Sequence, residues 1–277
     1  SASTPGPIRR RRPRNYWPNW LDAGSMIPIK TRAELASMRV ACRLSAQVLA
    51  EMAAQVVPGI TTGELDEFAA RRMRELGVKS AFFGYGGFPG HTCISLNDEV
   101  VHGIPGRRVI NAGDLVSVDL GIVAEGFIGD NAITVRVGAV DEESDRLCRV
   151  GEAALAAGIA AAQAGNRVGD IGHAVQAVTE AAGFSVVRDF CGHGVGRKLH
   201  EDPQIPNYGE PGRGPRLQPG MTLAIEPMIN SGTWQVEVLP NRWTVRIRDR
   251  RRSAHYEHTV LVVEQGPAEI LTCVAAK

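Results

Sequence analysis

Leu115-Val116-Ser117-Val118-Asp119-Leu120-Gly121-Ile122-Val123-Ala124-Glu125-Gly126-Phe127-Ile128-Gly129-Asp130 is the stretch on which the fold turns. Its β-branched and apolar residues read as two strands, with Ala124-Glu125 as a two-residue loop between them. That loop pairs Val123 with Gly126 and sets Asp119 opposite Asp130, with Cβ atoms roughly 4.5 to 5.5 Å apart. The neighbours Val116, Val118 and Leu120 are apolar. The two carboxylates therefore face a partly buried interior, where uncompensated like charges are expensive. Something cationic has to lie between them.

Outward from the hairpin the chain repeats itself. Pro58-Gly59-Ile60-Thr61-Thr62-Gly63-Glu64-Leu65 resembles Ala164-Gly165-Asn166-Arg167-Val168-Gly169-Asp170-Ile171, and Gly77 recurs as Gly183, a constant 106 residues on. His102-Gly103-Ile104-Pro105 parallels His200-Glu201-Asp202-Pro203, and Gly113 to Asp119 parallels Gly220 to Glu226. Asp130 to Val135 matches Glu257 to Val262 after an insertion in the second copy. Several matches in one order indicate two pseudo-equivalent halves sharing a sheet.

The repeat makes Glu226 and Glu257 the counterparts of Asp119 and Asp130, and no basic residue stands among them. Four acids about a pseudo-two-fold axis point to divalent cations. His193, in the glycine-rich Cys191-Gly192-His193-Gly194-Val195-Gly196, adds an imidazole that favours transition metals over calcium or magnesium. These five donors suit two ions roughly 3.5 to 4 Å apart and hydrolytic chemistry. Taken singly, Asp119 would read as a strand-end residue and Glu226 as a solvated strand terminus. Their occurrence as equivalent pairs tips the balance. His173 reads as polar helix surface, and His91, His255 and His258 as structural hydrogen-bonding groups.

The 277 residues are 44% hydrophobic and 22% charged with a net charge of +1, which excludes a disordered chain and a wholly basic nucleic-acid binder. No apolar run reaches the roughly 18 residues of a membrane helix. The five cysteines are scattered without a C-x-x-C pair, which fits a reducing, cytoplasmic setting. Arg9, Arg10, Arg11, Arg12 and Arg14 stand with Pro5, Pro7, Pro13 and Pro18 in an acid-free arm, with Tyr16, Trp17 and Trp20 as candidate packing anchors. Helices are expected from Thr31, where Glu34 completes a capping box, to before Pro58-Gly59, and from near Thr62 to Gly77.

Together these motifs resemble the type I methionine aminopeptidases, from about Thr31 to Thr272. The resemblance rests on Tyr85-Gly86-Gly87-Phe88-Pro89, Cys93 to Asn97, Val101 to Pro105, Val118-Asp119-Leu120, Gly129-Asp130, Gly192 to Gly196, Leu199-His200-Glu201, Ile225-Glu226-Pro227 and Tyr256-Glu257-His258-Thr259. It implies an α+β pita-bread fold: duplicated halves related by a pseudo-two-fold axis, with a curved central antiparallel sheet covered by helices. The expected layout is a Pro/Arg-rich extension over about 1–28 and a catalytic domain over about 29–277, with half-repeats near 31–138 and 139–270. The implied activity is removal of the initiator methionine from nascent chains and peptides with a small second residue.

By the same resemblance Asp119 binds one metal, His193 and Glu226 the other, and Asp130 and Glu257 bridge both; cobalt, manganese, iron, zinc or nickel would serve. Glu226 also relays a proton, His102 assists the leaving amine, and His200 stabilises the developing oxyanion. Tyr85, Phe88, Cys93, Leu199 and Trp243 line the methionine pocket. The chain departs from the family where Leu199 replaces an aromatic residue, Ile128 a His, His255 a Gln, and Arg242 a Gly. The implied partners are N-terminal methionyl peptides, with ribosomal RNA as a contact for the basic arm, in a cytoplasmic monomer that avoids membranes. Two other functions fit parts of the pattern: a proline-directed pita-bread aminopeptidase, and a non-catalytic ribosome- or RNA-binding relative. The basic run Arg246, Arg248, Arg250, Arg251 and Arg252 has no role at this level.

Overall fold

The computed structural model describes residues 26–274. The arginine arm and its Trp17 and Trp20 anchors lie outside them. Helix α1 (Arg32–Ala53) starts at the expected capping box, with the Thr31 side chain accepting from the Glu34 amide and Glu34 accepting from the Thr31 amide. Helix α2 (Thr62–Glu75) begins in the same way at Thr61 and Glu64. Helices α3 (Glu142–Ala161) and α4 (Val168–Ala181) repeat the pair, and α4 sits 106 residues beyond α2.

Nine strands form the main sheet: β1 (Lys79–Ser80), β2 (Cys93–Leu96), β3 (Leu115–Ala124), β4 (Phe127–Arg136), β5 (Cys191–Gly194), β6 (Glu201–Pro206), β7 (Thr222–Ile225), β8 (Glu257–Leu261) and β9 (Glu269–Ile270). Their order is β1-β3-β4-β8-β7-β5-β6, with β2 also paired to β3 and β9 to β8, and every pairing is antiparallel. The block β2-β3-β4 therefore answers to β5-β7-β8, and the pseudo-two-fold axis runs between β4 and β8. Each half buries its own apolar cluster. Met38, Met52, Leu65, Ile94 and Leu120 belong to the first; Leu147, Ile171, Leu223 and Val260 belong to the second.

The hairpin register differs from the expectation. Ala124 pairs with Phe127, so the turn is Glu125-Gly126, and Asp119 faces Ala132 while Asp130 faces Gly121. Both turn residues have positive φ, +50° and +75°, which matches the right-handed twist of the flanking strands and favours glycine at the second position. Asp119 and Asp130 are diagonal neighbours, not direct partners. A slip of two residues leaves each side chain on its original face, whereas a slip of one would have sent the carboxylates to opposite faces.

Between β7 and β8 the second half carries the insertion, which builds small sheets from Met228–Asn230, Val236–Val238, Val245–Ile247 and Ser253–His255. The arginine run fastens it. Arg246 pairs with Glu237, Arg248 donates to the Val236 carbonyl, Arg250 pairs with Asp98, Arg251 with Glu143, and Arg252 bonds Asn97. Each guanidinium thus has a partner within the fold, an acid for Arg246, Arg250 and Arg251, a side-chain amide oxygen for Arg252 and a backbone carbonyl for Arg248.

Candidate metal centre

The register gathers the five expected donors on one face. Asp119 lies opposite Ala132, which lies opposite Glu257, so those three share a row across β3, β4 and β8. Asp130 is two residues from Ala132 on the same strand. His193 pairs with Ala224, and Ala224 with Thr259, two residues beyond Glu257. Residues opposite one another or two apart point the same way. Glu226 follows two positions after Ala224. Ala132 and Ala224, both buried, occupy the face between the donors.

His193 Nε2 stands 3.4 Å from Glu226 Oε1 and 3.8 Å from Asp130 Oδ2. Its Nδ1 lies 2.9 Å from the Gly194 carbonyl oxygen. A carbonyl only accepts, so Nδ1 carries the proton and the Nε2 lone pair faces the carboxylates, as a ligating imidazole requires. Gly194 makes this possible: a Cβ there would overlap the Asp202 carbonyl oxygen across the bulge between β5 and β6.

Ligand atoms of Asp130, His193 and Glu257 lie within 4.8 Å of one another, as do those of Glu226, His255 and Glu257. Asp119 Oδ1, Asp130 Oδ1, Glu257 Oε1 and His255 Nε2 are buried and lack hydrogen-bond partners. Burial, reinforced by the Asp130 charge, pushes Asp119 far above the usual carboxylate range. Glu226 and Glu257 shift the same way, and burial takes Asp130 up to about 8. Desolvation lowers His193 to about 4, so its imidazole is neutral. Orphaned carboxylate oxygens beside a neutral imidazole lone pair are the donor set of transition-metal cations, and the residues present fit such ions.

A family model, Metallopeptidase family M24, matches residues 36–264. The chain belongs to metallopeptidase family M24. Methionine aminopeptidase 1 of Bacillus subtilis is 47% identical over 249 residues, spanning 90% of this chain and all of that protein. A methionine aminopeptidase structure from Thermotoga maritima superposes with a TM-score of 0.87 at 48% identity, covering 89% of this chain and 99% of that one. The one from Rickettsia prowazekii gives 0.88 at 38% identity, covering 90% and 100%. The fold is thus the expected pita-bread arrangement, and divalent metal ions are the cofactor of this M24 chain.

The residues expected around the methionine side chain lie in or against one apolar cluster. Phe88, Cys93 and Leu199 are buried in the first-half cluster, with Tyr85 and Trp243 packed against it. The Phe88 and Trp243 rings meet edge to face at 5.1 Å between centroids. The Tyr85 hydroxyl is 2.8 Å from His200 Nδ1, and the His200 and His193 rings are 4.3 Å apart. With the phenol donating, the His200 proton sits on Nε2. Burial lowers His200 and brings His102 down to about 4, so both are neutral. His102 has a φ of +59°, its carbonyl accepts from the Thr244 hydroxyl, and its ring lies edge-on to Phe190.

Among the remaining histidines, His258 bonds Thr272 and His91 stacks on Phe83, which suits structural roles. His255 does not conform to that expectation. It is 1% exposed, with Nε2 at 3.3 Å from Glu226 Oε2. Its position two residues before Glu257 was the available signal.

Proposed function

We propose that this chain hydrolyses the first peptide bond of polypeptides beginning with methionine, freeing the initiator residue when the second residue is small. The observation that carries this reading is the buried donor cluster with orphaned oxygens, set near the aromatic side chains of Tyr85, Phe88 and Trp243. Asp119, Asp130, His193, Glu226 and Glu257 would hold two divalent ions. When bound, the ions supply positive charge that lowers the pKa of water and polarises the scissile carbonyl.

The chain's own groups do the rest. Glu226, the least enclosed of the four acids, takes the proton of the attacking water and passes it on. His200, with Tyr85 at Nδ1, offers Nε2–H to the oxygen that gains negative charge. His102 contacts the peptide nitrogen as the amine departs. Tyr85, Phe88, Cys93, Leu199 and Trp243 enclose the unbranched thioether, whose flexibility suits an aromatic-lined slot.

Peptide assays with manganese- or cobalt-loaded protein test this reading. Met-Ala peptides should be cleaved and Ala-Pro peptides spared; the reverse preference would establish a proline-directed peptidase instead. An absence of metal uptake and of cleavage would favour the non-catalytic alternative. The basic arm, as a further part of the reading, contacts ribosomal RNA through phosphate attraction in the cytoplasm, where the chain works as a monomer. Deleting residues 1–20 should then reduce ribosome co-sedimentation at low salt, and unchanged binding would remove that part.

A further inference from the structure

His255 ends one strand of the insertion, two residues before Glu257, and the surrounding polar groups fix its backbone from both sides. The Thr134 hydroxyl accepts from the His255 amide and donates to the His255 carbonyl, each at 2.9 Å, and Ser117 holds Thr134 at 2.8 Å. Ser117, Thr134 and His255 are all buried. With the backbone held and the side chain buried, Nε2 comes to 3.3 Å from Glu226 Oε2 without an aligned hydrogen bond to any group of the protein.

The other oxygen of the same carboxylate lies near a second imidazole: His193 Nε2 stands 3.4 Å from Glu226 Oε1. The two imidazoles differ in what they present. His193 shows a lone pair, because its proton is committed to the Gly194 carbonyl. A carboxylate oxygen next to an Nε2–H gains a donor, whereas the same oxygen next to a second lone pair would be repelled. We infer that His255 is a positioning residue that donates its Nε2–H to Glu226 Oε2 and holds Oε1 toward the ion shared with His193. It governs which carboxylate oxygen ligates and which stays available for the proton of the attacking water. The inference rests on the proposed function and deepens it.

The test compares wild type with His255→Leu, which removes the donor, and His255→Gln, which keeps an N–H at similar reach; His255→Phe replaces the leucine variant should that one not fold. Manganese affinity is measured by calorimetry on metal-free protein, and kcat and KM on a Met-Ala peptide. Loss of an outer partner of a metal ligand commonly costs about 10- to 100-fold. The leucine variant should lose manganese affinity and kcat in roughly that range with KM changed less than about threefold, and the glutamine variant should recover both. Equal affinity and kcat in wild type and the leucine variant would overturn the inference while leaving the peptidase reading intact. Wild type that neither binds manganese nor cleaves would sink that reading and this inference with it. X-ray absorption of the cobalt-loaded proteins adds a third readout. One imidazole fewer around the ions in both the leucine and glutamine variants would overturn positioning in favour of direct ligation.

Discussion

The two halves supply equivalent carboxylates by different means. In the first, Asp119 and Asp130 stand on β3 and β4, ten-residue strands joined by the Glu125-Gly126 turn. In the second, Glu226 and Glu257 stand at the ends of β7 and β8, shorter strands separated by the whole insertion. A tight hairpin fixes its acids through a continuous ladder and has no room for anything else. The open connection carries Trp243 and His255 to the site, and uses the longer glutamate side chain where the backbone ladder stops. Under the proposed function both halves face the substrate, the first with Tyr85, Phe88, Cys93 and His102 and the second with Leu199, His200 and, from the insertion, Trp243.

The comparison breaks most visibly at Asp130 and Glu257, one acid from each half. Asp130→Asn and Glu257→Gln should each lower metal-supported kcat by well over 100-fold, beyond the roughly 10- to 100-fold expected of outer partners. Metal content by mass spectrometry should fall in parallel. If only one of the pair mattered, the halves would not be equivalent.

Removing the ions tests the electrostatics both halves share. Asp130 rises from an ordinary 3.8 to about 8 through burial, so folded metal-free protein holds a proton that the unfolded chain releases. This contribution to stability is present at low pH and is lost as pH climbs from about 4 to about 8. Thermal melts of metal-free protein should therefore show Tm falling across that window. Ligands must lose their protons to bind metal, so uptake should release protons, seen as a buffer-dependent heat, and apparent affinity should rise with pH.

The insertion's share is sharpened by Trp243→Ala. Losing the edge contact to Phe88 and the pocket wall should raise KM for methionyl peptides about tenfold while kcat stays within a few-fold, an effect near 1.4 kcal/mol. Smallest is Arg251→Ala. Its pair with Glu143 lies on the surface, and stability by urea unfolding should change by less than about 1 kcal/mol.

The donor set and both helix pairs were legible in the sequence because they are matters of residue type and spacing. Asp119, Asp130, Glu226 and Glu257 declare themselves as two aligned pairs, and Thr31 with Glu34 marks a helix start whatever the tertiary context. The hairpin register was not legible, because Glu125-Gly126 is a weaker turn signal than Asn-Gly or Asp-Gly, and Ala124 suits a loop or a strand equally. The partners of Arg250 and Arg251 escaped notice since Asp98 and Glu143 lie more than a hundred residues away. His255 was hidden by the opposite problem: a buried histidine near a strand end usually just satisfies a backbone group, and only its 3.3 Å approach to Glu226 separates it from that class.

Within the main sheet the halves meet at β4 and β8 through two ladder pairs, Glu257 with Ala132 and His258 with Asn131, beside which the Thr259 hydroxyl accepts from the Asp130 amide and donates to the Asp130 carbonyl. Buried acids from both halves crowd this short ladder. Cations held there would serve as mortar as well as reagents, since charge shared among acids from both halves would also draw those halves together.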